Sequence, residues 1–114
     1  MGKGKALSEL GEFDRALDAL QKAIEIDPEL GVAWGLQGNV LQDMGRSDEA
    51  LAAYDRAVVL MPNLAQLWLK RGQLLAEKGR YAEALQSLER SRQLDPSNPE
   101  VFDGLSQIRQ SRQD

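Results

Sequence analysis

The chain has no cysteine and no histidine, which removes disulfides, thiol nucleophiles, thiolate metal sites and the commonest general base and zinc ligand. Aromatic residues make up only 5% of its 114 residues, and acidic groups outnumber basic ones by 18 to 14, for a net charge of -4. That balance lacks the basic footprint of a phosphate-backbone binder, so nucleic acid is not an expected partner. No apolar run approaches the roughly 20 residues needed to span a bilayer, so membrane insertion is not expected. Lys3 and Lys5 are followed by Glu9 and Glu12 rather than by a signal-peptide core. The Met1-Gly2 start lacks the Ser or Thr at residue six that N-myristoylation uses, because Ala6 stands there. A cytoplasmic protein without a targeting segment is the expectation.

What is present is a beat. Pro28, Pro62 and Pro96 are spaced by 34 residues, a period typical of stacked-repeat proteins. Gly11, Gly45 and Gly79 keep the same step, as do Gly38 and Gly72, Leu7, Leu41 and Leu75, and the pairs Ala16-Leu17, Ala50-Leu51 and Ala84-Leu85. Segments 31–64 and 65–98 are identical at 11 of 34 positions.

Each unit reads as two helices around a central glycine, because apolar and small residues recur at intervals of three and four. Trp34, Gly38, Leu41 and Gly45 share one stripe of the first helix in the unit beginning at Gly31. Gly45 ends that helix, Ser47 is a candidate cap for the next, and Pro62 stops the second one, which packs through Ala50, Leu51, Tyr54, Ala57 and Val58. No segment alternates with the period of a strand. The pattern predicts seven helices, roughly 3–10, 13–26, 31–44, 47–60, 65–78, 81–94 and 99–111.

These residues resemble the tetratricopeptide repeat family, whose 34-residue pattern carries W-x2-L-G-x2-Y, then A-x3-F, then Pro. Trp34, Gly38, Leu41, Ala50, Tyr54, Ala57 and Pro62 match it in one unit, and Trp68, Gly72, Leu75, Ala84, Leu88, Ser91 and Pro96 in the next. The first unit keeps Gly4, Leu7, Ala16, Leu20, Ala23 and Pro28. Gln37 and Arg71 depart from the expected Leu, and Ser47 stands where Phe13 and Tyr81 place an aromatic. The resemblance implies an all-α, right-handed superhelical array of antiparallel helix pairs, about three units and a C-terminal capping helix. It covers 1–114 as one domain, with an incomplete first unit at 1–30, full units at 31–64 and 65–98, and a capping helix and tail at 99–114. The short opening helix with Gly2 and Gly4 suggests that further repeats precede it or that another subunit covers it. Val101, Phe102, Leu105 and Ile108 are expected to cover the third unit from the cap.

No pattern for chemistry accompanies the repeat. The glycines lack the GxxxxGK and GxGxxG spacings and the strand-to-helix setting that phosphate loops require. Asp14 with Asp18, and Asp48, Glu49 and Asp55, read as solvated helix faces rather than as tuned acid/base pairs. Trp34 and Trp68 could stack a ligand, but sit at the positions the family uses for helix packing. No catalytic residue, metal ligand or cofactor is expected, and the chain is read as a non-enzyme.

In proteins of this kind the first helix of each pair lines a concave groove that holds a peptide. Opposite the Trp34 stripe lie Val32, Leu36, Asn39 and Asp43, and a step of 34 gives Gln66, Lys70, Gln73 and Glu77. One more step gives Glu100, Gly104, Gln107 and Ser111. Lys5 begins a row continued by the amides of Asn39, Gln73 and Gln107, beside a second row of Glu9, Asp43 and Glu77. Amides both donate and accept, which suits a peptide backbone of any sequence, and the acidic row favours a ligand with Lys or Arg. The rival reading is that these residues only keep a surface soluble.

Some family members clamp the terminal carboxylate of heat-shock chaperones with Lys, Asn and Arg. The matching positions here hold Met1, Lys5, Leu36, Gln66 and Lys70, of which only Lys70 is basic where expected. The asparagine row of repeat-bearing sugar transferases would fall on Leu36 and Lys70, which are not Asn. The expected function is therefore a scaffold that binds a protein or peptide in the groove. Two alternatives are a regulatory or substrate-presenting segment of a larger enzyme, and a self-associating array. The last is suggested by charge, since residues 1–30 carry four basic against seven acidic groups and residues 65–98 six against four.

Overall fold

A computed structural model describes the backbone of residues 2–113 and the side chains of residues 11–110. Six helices account for nearly all of it: α1 (Gly2–Ile26), α2 (Gly31–Asp43), α3 (Ser47–Leu60), α4 (Ala65–Glu77), α5 (Tyr81–Leu94) and α6 (Pro99–Gln113). Among the described residues there is no strand. The chain divides into two compact units, Met1–Leu60 and Met61–Asp114.

In the first unit α2 packs on both α1 and α3. Small residues make this possible, since Gly31, Ala33, Gly35 and Gly38 are all buried along α2. Ile24 of α1, Leu41 of α2 and Ala50, Leu51, Tyr54, Ala57 and Val58 of α3 form the core. The short turn between α2 and α3 sets them side by side and antiparallel. Gly45 closes α2 with φ +80°, the Gly45 N–H bonds the Gln42 carbonyl at 2.9 Å, and the Arg46 N–H bonds the Leu41 carbonyl at 2.8 Å. This is the paired 5→2 and 6→1 pattern of a glycine-terminated helix.

The second unit repeats that turn at Gly79, with φ +78° and the Arg80 N–H 2.9 Å from the Leu75 carbonyl. Its core joins Leu67, Leu69, Leu74 and Leu75 of α4, Ala84 and Leu88 of α5, and Val101 and Ile108 of α6. Pro99 starts α6, where its missing N–H costs nothing, and the Glu100 N–H donates to Asn98 Oδ1 at 3.0 Å.

Three expectations are corrected. The segments expected as helices 3–10 and 13–26 form the single helix α1, and Gly11 lies inside it without a positive φ. The turns at Gly45 and Gly79 are each followed by an Arg whose guanidinium pairs with a Glu three residues on, Arg46 with Glu49 and Arg80 with Glu83. After Gly11 that order is reversed, to Glu12 and Arg15. Ser47 is not a cap but the first residue of α3, so the position before the helix belongs to Arg46. Phe102 does not cover the second unit's core. It is 50% exposed, whereas Gly104 is buried against Leu88, so the inward face of α6 runs Val101, Gly104 and Ile108.

Both tryptophans are half-buried, and each indole N–H donates to the carbonyl of the proline six residues earlier. The distances are 2.9 Å from Trp34 Nε1 to Pro28 O and 2.8 Å from Trp68 Nε1 to Pro62 O. Each tryptophan thereby ties the loop after Pro to the helix that follows it.

Candidate functional site

The exposed face of α2 changes character along its length. Val32 and Leu36, one turn apart, are 50% and 48% exposed, and Asn39 and Asp43 follow in the open on the same face. Asn39 is not a free side chain. The Tyr54 hydroxyl, rising from the buried ring on α3, lies 2.6 Å from Asn39 Oδ1 and 3.0 Å from Gln42 Oε1. Burial pushes the Tyr54 phenol up to about 12, and the carboxylate of Asp43 adds to the rise.

On α4 the face carries Gln66 and Glu77, which are exposed, and Lys70 and Gln73, which are half-buried. Two of these, Gln73 and Glu77, open onto a cleft of about 530 Å³ between α4 and α6. From α6 come Glu100, Asp103 and Gln107, with Ala76 and Ile108 supplying apolar wall and Tyr81 of α5 closing one end. Three carboxylates thus share one cleft, and among the described residues no Lys or Arg bridges to Glu77, Glu100 or Asp103. The missing Cβ of Gly104 leaves that stretch of α6 close to Leu88 and brings the helix down beside α4.

The structure therefore gathers Gln73, Glu77 and Gln107 in the second unit, and Val32, Leu36, Asn39 and Asp43 along α2 in the first. The side chain of Lys5 lies outside the described residues. Asp103 and Tyr81 were not among the residues expected from the repeat. Asp103 precedes the close-packed Gly104, and the signal for it was available as an acidic residue beside the stepped positions Glu100 and Gly104. Tyr81 begins the second helix of its pair, where the repeat places an aromatic, and only the fold shows that it reaches the cleft.

The departures from the repeat pattern also find their places. Arg71 Nη1 donates to Oγ of Ser87, which is fully buried on α5, and Ser91 Oγ donates to the Ala65 carbonyl at 3.0 Å. In the first unit the equivalent pair is Gln37 and Ala53, and Gln37 Oε1 is buried without a hydrogen-bond partner. Among the described residues no helix is long and apolar enough to cross a membrane.

Helical hairpins built on a 34-residue sequence period define a helical-repeat protein. A tetratricopeptide repeat family model matches residues 36–99, which is 64 of the 114 residues, and two further tetratricopeptide repeat models match 1–30 and 19–52. The chain belongs to the tetratricopeptide repeat family.

Solved structures agree on the fold. The first tetratricopeptide domain of Spaghetti (RPAP3), bound to the HSP90 peptide SRMEEVD, superposes with a TM-score of 0.86 at 24% identity, covering 99% of this chain and 90% of that one. MamA gives a TM-score of 0.84 at 19% identity, over 96% of this chain and 64% of its own. The TPR2B domain of yeast Sti1, solved in a pHsp70 complex, gives 0.82 at 21% identity, over 95% and 91%. No curated protein sequence matches the chain.

Proposed function

We propose that the chain is a non-catalytic protein-interaction module whose second unit receives a peptide or partner segment on the exposed face of α4, with Lys or Arg of the partner entering the α4–α6 cleft. The observation that carries this reading is the group of three carboxylates, Glu77, Glu100 and Asp103, around a cleft of about 530 Å³ without a bridging cation among the described residues. Like charges brought together in a concave surface raise the local potential, and a cationic side chain with an apolar stem fits both the carboxylates and the Ala76 and Ile108 wall. Gln73 and Gln107 beside them can hydrogen-bond a peptide backbone. The peptide-bound relatives support a protein or peptide partner in general. The SRMEEVD peptide of the RPAP3 complex is not the ligand proposed, since the positions compared in this chain, Met1, Lys5, Leu36, Gln66 and Lys70, are mostly not basic and the cleft is acidic.

Panning a displayed library of random peptides on the folded chain tests this. Enrichment of Lys and Arg is expected, with SRMEEVD as a poor competitor and with Glu77→Gln plus Asp103→Asn removing the basic preference. Enriched peptides that show no basic preference, or that bind the double variant equally, would reject the cleft as the binding site.

A second reading, end-to-end self-association, is supported by the acidic excess of residues 1–30 and the basic excess of residues 65–98. Sedimentation at low salt should then show mass growing with concentration, and a single monomer mass throughout would exclude it.

A further inference from the structure

We infer that two copies of this chain join tail to head, the bare face of α6 on one copy packing against α1 of the next to complete a helix pair of which each end holds only one member. This statement rests on the self-association reading above and gives it a specific contact.

The two ends of the repeat are open in opposite senses. A step of 34 from Trp34, Gly38 and Leu41 on α2 leads to Trp68, Gly72 and Leu75 on α4, and a second step leads to Phe102, Ser106 and Arg109 on α6. On α2 and α4 this stripe lies against the second helix of the pair, where Gly38 meets the Tyr54 ring and Gly72 meets Leu88. Gly38, Leu41, Gly72 and Leu75 are accordingly buried, whereas Phe102, Ser106 and Arg109 are all exposed. α6 packs on α4 and α5 through Val101, Gly104 and Ile108, and the face that would receive a second helix is bare.

α1 shows the reverse. Ala16, Leu20 and Ala23 stand one step of 34 before Ala50, Tyr54 and Ala57 of α3, and two steps before Ala84, Leu88 and Ser91 of α5. The counterparts on α3 and α5 are all at 0% exposure, and Tyr54 and Leu88 touch the first helix of their own pair. Ala16, Leu20 and Ala23 are only half-buried. The residues before them continue the same helix from Gly2, so they do not fold back over it as a first helix would. α1 is thus a second helix without its first, and α6 a first helix without its second.

These faces match because they are the two halves of one motif. The register that sets Gly38 opposite Tyr54 carries over as Ser106 opposite Leu20, with Phe102 toward Ala23 and Arg109 toward Ala16. In such an antiparallel pair the first turns of α1 run on past the C-terminal end of α6. Charge favours the same match, since Arg109 approaches a helix whose residues 12–26 hold Glu12, Asp14, Asp18 and Glu25 against Arg15 and Lys22. Each face belongs to one unit, so one unit from each of two copies makes the contact. Ser106 limits its strength, because a side chain now stands where glycine lets the other pairs approach closely. One helix pair is also a small interface, which suits a reversible association. Head and tail are different surfaces, so the contact is heterologous and a joined pair still offers one free face at each end.

Sedimentation of the full chain over a concentration series tests this with Phe102→Glu, which spoils only the α6 face, and Ala23→Glu, which spoils only the α1 face. The unaltered chain should grow in mass with concentration, and each variant alone should associate at least about tenfold more weakly, with circular dichroism showing unchanged helix content. Their equimolar mixture should associate like the unaltered chain but stop at a dimer, since one sound α1 face meets one sound α6 face. Ser106→Gly should tighten the association about tenfold, and Ala23→Glu added to it should cancel the gain. High salt should weaken the growth without abolishing it, because Phe102 contributes independently of charge. A mixture that stays monomeric while the unaltered chain grows, or no gain in Ser106→Gly, would overturn this contact and leave self-association standing. Growth lost entirely at high salt would reduce it to charge attraction. A monomer mass for the unaltered chain throughout would remove both readings.

Discussion

Gly38 and the Tyr54 ring approach so closely that a Cβ on Gly38 would stand 2.7 Å from Tyr54 Cε1 and 2.8 Å from Cδ1. The ring has no room to yield, since Tyr54 is fully buried and its hydroxyl is held at the far end by Asn39. Gly38→Ala gains helix propensity of up to about 1 kcal/mol, which opposes an overpacking cost of about 1 to 3 kcal/mol. Net destabilisation is expected, read as a lower urea midpoint with an unchanged slope. The double variant Gly38→Ala with Tyr54→Leu should recover part of the loss, and no recovery would mean that the ring is not the obstacle.

Gly11 and Gly45 share a place in the sequence period but not in the fold. Gly45 has φ +80° and no atom within 4 Å of where a Cβ would stand, so Gly45→Ala meets only backbone strain, roughly 1 to 2 kcal/mol. Gly11 lies in the interior of α1, also with nothing near, so Gly11→Ala should stabilise by up to about 1 kcal/mol. The opposite signs are the prediction, and thermal melts of the two variants check it. A loss of stability in Gly11→Ala would restore the turn that the repeat spacing suggests there.

Gln37 offers a way to strengthen the first unit. Its Oε1 is buried without a partner, while the equivalent Arg71 in the second unit bonds the Ser87 hydroxyl. Ala53 stands at the Ser87 position and is 3% exposed. Ala53→Ser places a donor on the facing helix and should raise stability by about 0.5 to 1.5 kcal/mol if the new hydroxyl reaches Gln37. The gain should vanish in Gln37→Leu with Ala53→Ser, where the hydroxyl has no acceptor, and that pair of measurements separates the bond from a general effect of Ser on α3.

How far the sequence reveals the molecule depends on which residues carry the signal. Glycine at 45 and 79 and proline at 62 mark their turns because a positive φ and a missing N–H are properties of the residue itself. Gly11 misleads because a glycine permits a turn without compelling one, and the Arg-to-Glu pair that follows the other two turns is absent after it. Helical phase places Val32, Leu36, Asn39 and Asp43 on one exposed face, as counting at 100° per residue suggests. It does not reveal that Asn39 is tied to Tyr54, fifteen residues away on another helix, nor that Asp103 and Tyr81 share a cleft with Glu77. Phe102 shows the same limit, since size and hydrophobicity argue for burial and the close approach of Gly104 to Leu88 turns it outward.

Tyr54 should report its surroundings through its own ionisation. Burial first, and then the Asp43 carboxylate, hold the phenol at about 12 against an ordinary value of 10.0. A group raised in this way favours the folded state below its unfolded value and loses that contribution as pH climbs through its folded value. Stability should therefore fall between about pH 10 and pH 12, with the phenolate absorbance of folded Tyr54 appearing only at the upper end of that interval. Asp43→Asn removes the neighbouring charge and should lower the ionisation only in part, because burial is the larger cause. Tyr81, assigned by Tyr81→Phe, separates the second phenol from the spectrum. An ionisation of Tyr54 at its ordinary value, with no loss of stability over that interval, would contradict the buried hydroxyl and with it the anchoring of Asn39.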